Sequence, residues 1–149
     1  MEVKFTILGE PMGKERPKFR RVGNYVRTYT PAKTVKYETK VRDSYYQDNM
    51  NTRHLTGAIE AEIHGIFPIP VSVSKKLRAK MESGEEPYTK KVDADNLAKI
   101  VLDALNGVAY DDDKQITKLI VTKAYGKDPR VEVRLKELAD EETLIELTK

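Results

Sequence analysis

The sequence predicts an α+β domain in which a small, mostly antiparallel or mixed sheet is packed by two main helices. Three observations predict this class: short segments that alternate apolar and polar residues, two longer segments with helical apolar spacing, and turn residues between them. We expect the 149 residues to form a single domain, 1–149, with an acidic tail from about residue 137.

The first half of the chain predicts a strand, a basic loop or hairpin, and a long helix. Residues 3–7 alternate as a strand, and Gly23-Asn24 is a turn between two basic, aromatic segments. Thr30-Pro31 predicts a helix start, with the hydroxyl as cap and proline in the first helical position. This helix should run to about Asn49 and bury an apolar stripe formed by Val35, Tyr37, Val41 and Tyr45.

The second half predicts strands separated by helices. Residues 59–67 alternate as a strand, 74–81 suit a short basic helix, and 94–106 have the apolar spacing of a second main helix that Asn106-Gly107 ends. Residues 116–125 and 131–135 predict two further strands. The tail from Glu137 is expected to form a short helix docked by Leu138, Leu144, Ile145 and Leu147.

Charge and composition narrow the class of function. Residues 1–42 contain eleven Lys and Arg against four Asp and Glu, whereas the remainder is net acidic. A basic front half suggests a polyanion partner, most often nucleic acid, and the alternative is an unevenly charged surface. The absence of cysteine excludes a disulfide scaffold, a thiolate zinc site and a cysteine nucleophile. With no signal peptide and no apolar stretch of membrane-spanning length, we expect a cytoplasmic protein without membrane association.

Acidic residues occur in two groups, Asp93 with Asp95 and then Asp111-Asp112-Asp113. A carboxylate at a helix start often serves as a cap, worth about 0.3–1 kcal/mol, but capping does not require five of them. Clustered carboxylates without His or Cys favour Mg²⁺, with Mn²⁺ as a possible substitute. The ligand pattern of a calcium loop and the glycine pattern of a P-loop are both missing, so no nucleotide cofactor is expected.

Lys99 follows Asp95 by four residues, which places both on one helix face. Either it forms a surface ion pair with Asp95 or Asp103, or it supplies a positive charge beside a reacting phosphate.

Together these segments resemble a known family. The pattern Asp93-x-Asp95-Asn96-Leu97-x-Lys99, then Asp103-Ala104-Leu105-Asn106-Gly107, then Tyr110-x-Asp112-Asp113-x-Gln115 is similar to the RusA family of Holliday junction resolvases. Gly9-Glu10-Pro11, Lys14, Arg16-Pro17, Tyr29-Thr30-Pro31 and Tyr37-Glu38 resemble one branch of that family. The resemblance extends over about residues 3–135.

This resemblance implies a homodimeric, Mg²⁺-dependent endodeoxyribonuclease of bacterial or prophage origin that makes paired incisions in four-way DNA junctions during recombination and repair. It implies that Asp93, Asp95 and Asp113 are catalytic residues and metal ligands, with Lys99 as the catalytic lysine. Asp113 is preferred over Asp112 because the second acid of the pair is the essential one. The alternatives are a branched-DNA-binding module without catalysis, and a nuclease of flaps or forks.

The basic residues predict the DNA-binding surface. An arm is expected to grip phosphates through Lys14, Arg16, Lys18, Arg20 and Arg21, extended by Lys90 and Lys91, and the alternative is a solvated loop. Tyr25 and Tyr29 either pack the hairpin or stack on exposed bases. A helix over 94–106 is about 18–20 Å long, so Asp95 and Asp113 start at opposite ends of it. Asp113 therefore either reaches Asp95 within its own subunit, through the segment 107–113, or acts from the partner subunit.

Overall fold

A computed structural model describes residues 1–138 of the protein. It contains helices and strands in the order β1 (Glu2–Leu8), β2 (Lys18–Val22), β3 (Tyr25–Tyr29), α1 (Ala32–Asn49), β4 (Ile59–Phe67), α2 (Lys75–Ser83), α3 (Ala94–Ala104), a short 3₁₀ helix (Asp113–Gln115), β5 (Ile116–Tyr125) and β6 (Arg130–Glu137). The predicted α+β class is confirmed, as is the position of each predicted strand and helix within residues 1–136 to within a few residues.

A four-stranded mixed sheet of order β1-β6-β4-β5 is the frame of the fold. β6 pairs antiparallel with both β1 and β4, whereas β4 and β5 pair in parallel. A parallel pair needs a crossover connection, and the chain between β4 and β5 provides it with α2 and α3. This crossover places α3 and the acidic loop that follows it beside the sheet.

The core lies between one face of the sheet and the helices α1 and α3. Alternate residues of β1, β4 and β6 point into it, including Phe5, Ile63 and Val133. α3 buries most of its apolar residues, with Leu97, Ile100 and Val101 inaccessible to solvent. Because the core packs against both long helices, it fixes their mutual placement.

The predicted stripe of α1 is correct at three of its four positions. Tyr37, Val41 and Tyr45 are buried, but Val35 is 48% exposed and Thr34 is buried in its place. At about 100° per residue, Val35 lies about 200° around the helix from Tyr37 and therefore faces solvent.

Two helix ends differ by one or two residues from expectation. Pro31 occupies the N-cap position of α1 and no side chain caps it, so Thr30 is not the cap and Pro31 is not the first helical residue. The carbonyl of Pro31 accepts hydrogen bonds from the N–H groups of Thr34 and Val35. α3 ends at Ala104, two residues early, and Gly107 has the expected left-handed conformation, with φ of 72°.

β2 and β3 form a separate two-stranded hairpin around the predicted turn. Val22 pairs with Tyr25, so Gly23 and Asn24 form the tip, where Gly23 has a φ of 60°. The hairpin is exposed along nearly its whole length. The hairpin, which follows β1 and precedes α1 in the sequence, is therefore an exposed arm.

Glu137 is the last residue of β6, which ends where the acidic tail was predicted to begin. Leu138 donates its backbone N–H to the carbonyl of Ala58 and so continues the pairing of β6 with β4. The predicted docking of Leu144, Ile145 and Leu147 lies outside the described residues. Over residues 1–138, no helix has both the length and the apolar character that crossing a membrane requires.

Candidate catalytic centre and nucleic-acid interface

Asp93 stands at the N-cap position of α3, and Asp95 is in the first turn. The backbone carbonyl of Asp93 accepts the N–H of Leu97 at 3.0 Å, but its carboxylate accepts no hydrogen bond from the helix amides. Both side chains are exposed. Helix capping therefore does not account for the carboxylate of Asp93.

The segment that leads into Asp93 is held by Lys123 of β5. The Lys123 ammonium donates to the carbonyls of Lys90 at 3.1 Å and Val92 at 2.8 Å. It also lies 5.3 Å from the centre of the Tyr88 ring, which stacks on Phe67. The sequence did not indicate Lys123, because an isolated lysine in a strand has no distinguishing pattern.

The acidic loop after α3 is shaped by two amide side chains. Asn106 accepts the N–H of Asp113 at 2.9 Å, and Gln115 accepts the N–H groups of Asp111 and Asp112 at 3.0 and 3.1 Å. The Gln115 amide also donates to the carbonyls of Leu55 and Gly57, at 3.2 and 3.1 Å. These contacts give the Asn and Gln of the sequence pattern a definite structural role.

The three consecutive aspartates have different surroundings. Asp111 contacts the His54 ring at 2.8 Å, and Asp112 accepts the N–H of Lys114 at 2.9 Å, which lowers the pKa of Asp112. Burial, together with the neighbouring Asp112 and Asp103 carboxylates, raises the pKa of Asp113. Asp112 and Asp113 are thus distinguished by their surroundings: a backbone N–H stabilises the charge of Asp112, whereas burial and neighbouring carboxylates disfavour the charge of Asp113.

Two acidic residues that were not predicted as site residues, Glu38 and Asp103, form a cluster with Lys14 and Asp113. Lys14 lies with its Nζ 3.0 Å from an oxygen of Glu38 and 3.5 Å from an oxygen of Asp103, and Asp103 in turn neighbours Asp113. We call Lys14, Glu38, Asp103 and Asp113 the Lys14 cluster. The available signal was that Glu38 and Asp103 both fall within the sequence patterns described above, although nothing in the sequence paired them.

The predicted catalytic residues lie along the length of α3. Asp103 follows Asp95 by eight residues, which is about 12 Å along the helix axis, so Asp113 and Asp95 are at different ends. Lys99 is exposed between them and forms no ion pair with a carboxylate of residues 1–138. The alternative of a surface ion pair between Lys99 and Asp95 or Asp103 is therefore not found over these residues, and Asp103 pairs with Lys14 instead.

The donor atoms suit a hard cation, but they do not form a preassembled cage. The carboxylates of Asp93, Asp95 and Asp113 offer oxygen ligands only, which is what Mg²⁺ prefers, and burial together with the Asp112 and Asp103 carboxylates raises the pKa of Asp113. Over residues 1–138, no group of three or more His, Cys, Asp or Glu is arranged to hold a metal ion.

A sequence model of the family described as endodeoxyribonuclease RusA matches residues 9–136. The chain belongs to the RusA endodeoxyribonuclease family. The matched range contains the hairpin, α3 and the acidic loop, so the whole candidate site lies within the RusA-like part of the chain. A similar protein is YqaN of Bacillus subtilis strain 168, an uncharacterized protein that is 37% identical over 139 residues, or 92% of this chain and 97% of YqaN.

A RusA endodeoxyribonuclease acts on DNA, and most of the predicted DNA-binding residues are exposed. Lys18, Arg20 and Arg21 lie on the arm, Arg16 lies in the segment just before it, and Lys90 and Lys91 lie in the loop before Asp93. Lys14 differs, because it is half-buried and paired within the Lys14 cluster.

The register of the hairpin divides its side chains between two faces. Arg20 pairs with Arg27 and Lys18 pairs with Tyr29, which places these four residues on one face, whereas Arg21 lies on the other. Like charges directly opposite each other are unfavourable unless an anion lies between them. Tyr25 and Tyr29 are 62% and 47% exposed, so neither is packed away within the hairpin. This face is the strongest cationic feature of the arm, and Arg27 was not predicted as part of it.

Proposed function

We propose that this member of the RusA family is a Mg²⁺-dependent endodeoxyribonuclease that resolves four-way DNA junctions by paired phosphodiester hydrolysis, in recombination and repair. The observation that supports the proposal is that, over residues 1–138, neither Asp93 nor Asp113 forms an ion pair with a cation, although Asp113 lies beside the like-charged Asp112 and Asp103. Asp111 and Asp112, by contrast, contact His54 and the Lys114 N–H. In a nuclease family, carboxylates without a paired cation are best explained as catalytic or metal-binding groups.

We assign the ligands of Mg²⁺ to Asp93, Asp95 and Asp113. When bound, the ion supplies stabilisation of the charge that develops on the phosphate and activation of a water nucleophile. Lys99, which forms no ion pair within residues 1–138, places its ammonium on the same face of α3 as Asp95, where it neutralises charge on the phosphate or on the leaving oxygen. Lys123 sets the position of Asp93 by holding the carbonyls of Lys90 and Val92.

The basic residues supply the DNA grip that a carboxylate site requires. Bare carboxylates repel a phosphate backbone, so cations must surround them for DNA to approach. In this proposal the arm and the segment just before it provide them through Arg16, Lys18, Arg20 and Arg21, while Lys90 and Lys91 provide them beside Asp93. Arg27 joins this set because it shares a hairpin face with Arg20.

We further propose that the protein acts as a homodimer, since two paired cuts need two sites related by symmetry. The separation of Asp95 from Asp113 along α3 gives this a direct test. Asp113 meets Asp95 either within one subunit, after rearrangement on DNA, or across the dimer. Mixing Asp95→Asn chains with Asp113→Asn chains distinguishes them, because activity well above that of either variant alone requires a site shared between subunits.

The catalytic assignment is tested with Asp93→Asn. Because this variant removes charge but not shape, we expect it to lose cleavage of a four-way junction while its junction binding persists. Asp111→Asn is the matched control. Retained cleavage by Asp93→Asn would contradict the assignment, and binding without cleavage by the natural protein would favour a recognition module.

A further inference from the structure

Lys14 differs from the exposed basic residues that follow it, because its ammonium is already engaged by carboxylates. We propose that Lys14 is a positioning residue of the catalytic centre and not a phosphate contact of the arm. This inference rests on the proposed function, since it assigns Lys14 a task beside Asp113. It also reassigns a residue that the sequence placed with the DNA-binding cations.

Three contacts fix Lys14 in place. Its backbone N–H donates to the carbonyl of Asn96 at 3.0 Å, and its Nζ lies 3.0 Å from Glu38 and 3.5 Å from Asp103. The preceding Gly13 lies so close to the segment that enters α3 that a Cβ there would be 2.4 Å from a methyl carbon of Val92 and 3.3 Å from the Cβ of Asn96. The Lys14 side chain is only 19% exposed, so its ammonium is poorly placed to reach a phosphate from solvent.

The charges around Lys14 explain what its ammonium does. Glu38 and Asp103 are themselves only 13% and 26% exposed, and Asp103 neighbours Asp113. Removing one partner of a half-buried ion pair leaves the other charge without compensation. Without Lys14, Glu38 and Asp103 would repel each other, and Asp103 would move away from its place beside Asp113. Lys14 therefore sets the local geometry of Asp113 through Asp103.

Lys14 also ties the root of the arm to the two long helices. Its partners Glu38 and Asp103 belong to α1 and α3, and β2 begins four residues later at Lys18. The arm therefore leaves the body of the protein at the Lys14 cluster. Loss of this anchor should slow the reaction of bound DNA. Binding itself should persist, because the exposed cations that contact phosphate remain.

Two measurements separate a positioning role from a phosphate contact. Junction binding in EDTA, at several salt concentrations, gives the slope of log Kd against log salt, to which each phosphate contact on duplex DNA contributes about 0.9. Single-turnover cleavage of saturating junction with Mg²⁺ gives the rate once DNA is bound. The variants are Lys14→Met, Lys18→Met as the matched arm residue, and Lys136→Met, which lies on the sheet face opposite the helices.

We expect Lys14→Met to keep the natural salt slope and to cleave about 10–100-fold more slowly, as is typical when a group that orients a metal ligand is lost. Lys14→Arg, which keeps the charge, should retain more of the rate. Lys18→Met should lower the slope by about 0.9. Lys136→Met should change neither quantity.

Either of two results would overturn the inference: a salt slope for Lys14→Met as low as that of Lys18→Met, or cleavage at the natural rate. If circular dichroism shows that Lys14→Met does not fold, Glu38→Gln takes its place, and slower cleavage with an unchanged slope is then the supporting result. Natural-rate cleavage by Glu38→Gln overturns the inference. Absence of cleavage by the natural protein contradicts the proposed function instead, and the salt slope still shows whether Lys14 contacts phosphate.

Discussion

Replacing Asp113 with Asn should stabilise the protein while abolishing its activity. The Asp113 carboxylate is partly withdrawn from water beside the Asp112 and Asp103 carboxylates, and these neighbours disfavour its charge. Two unit charges about 5 Å apart in largely aqueous surroundings repel by about 1 kcal/mol. Asn has the same shape, and the backbone N–H of residue 113 can still donate to Asn106. In EDTA we therefore expect Asp113→Asn to raise the free energy of unfolding by about 1 kcal/mol.

Thermal unfolding measures this difference. For a chain of this length, 1 kcal/mol corresponds to a rise in Tm of about 2–4 °C. Asp111→Asn is the matched control, because Asp111 contacts His54 and its loss should not stabilise the protein. Mg²⁺ at ten times its Kd should stabilise the natural protein by about 1.4 kcal/mol, and Asp113→Asn by clearly less.

The cleavage rate gives the second half of the prediction. Loss of a ligand should lower the rate of Asp113→Asn by at least about 100-fold, beyond the range typical of groups that only orient a ligand. A variant that is destabilised in EDTA would refute the charge-repulsion argument. A variant that cleaves junctions at the natural rate would refute the role of Asp113 in the reaction.

Three further predictions concern other parts of the molecule. The pKa of Glu137 is lowered to about 2, chiefly by hydrogen bonding to Arg53, so its stabilisation is present above pH 4.5 and is lost as the pH falls towards 2. Because Arg53 is more than half exposed, solvent screening limits the contribution to about 1 kcal/mol, so urea titrations should show Glu137→Gln less stable by that amount at pH 7, with the difference shrinking as the pH falls towards 2. Gln115→Ala removes the acceptor and donor that hold the acidic loop, and should cost about 1–3 kcal/mol in urea unfolding together with most of the cleavage rate; an unchanged rate would contradict the loop's role. Arg27→Gln should lower the salt slope of junction binding by about 0.9, the same decrease that we expect for Arg20→Gln, and an unchanged slope would remove Arg27 from the interface.

The order of helices and strands could be predicted because it depends on local patterns. Alternation marked the strands, helical spacing marked α1 and α3, and Gly23-Asn24 marked the hairpin turn. The error at Val35 arose because a valine near the right place was assigned to the stripe, although its angle around the helix opposes that of Tyr37. The sequence provides apolar positions, but the packing of α1 against the sheet selects among them.

The candidate site was less predictable because its contacts join distant segments. Asp93, Asp95, Lys99 and Asp113 were found from spacing and resemblance, and their roles remain predictions. Glu38 and Asp103 are 65 residues apart in the sequence, and Lys14, which comes from a third segment, contacts both. Likewise, only the fold shows that Asp93 stands at a helix N-cap without capping it. Such facts depend on where side chains meet, which local pattern does not specify.

The most direct test of the account is cleavage of a synthetic four-way junction with a movable centre, labelled on each strand, beside a linear duplex of the same sequence. Both are incubated with the protein and Mg²⁺, with EDTA and Asp93→Asn as controls. The account predicts symmetric paired nicks in the junction alone, absent from both controls. Binding of the junction without nicks in Mg²⁺, or equal cutting of the linear duplex, would contradict it.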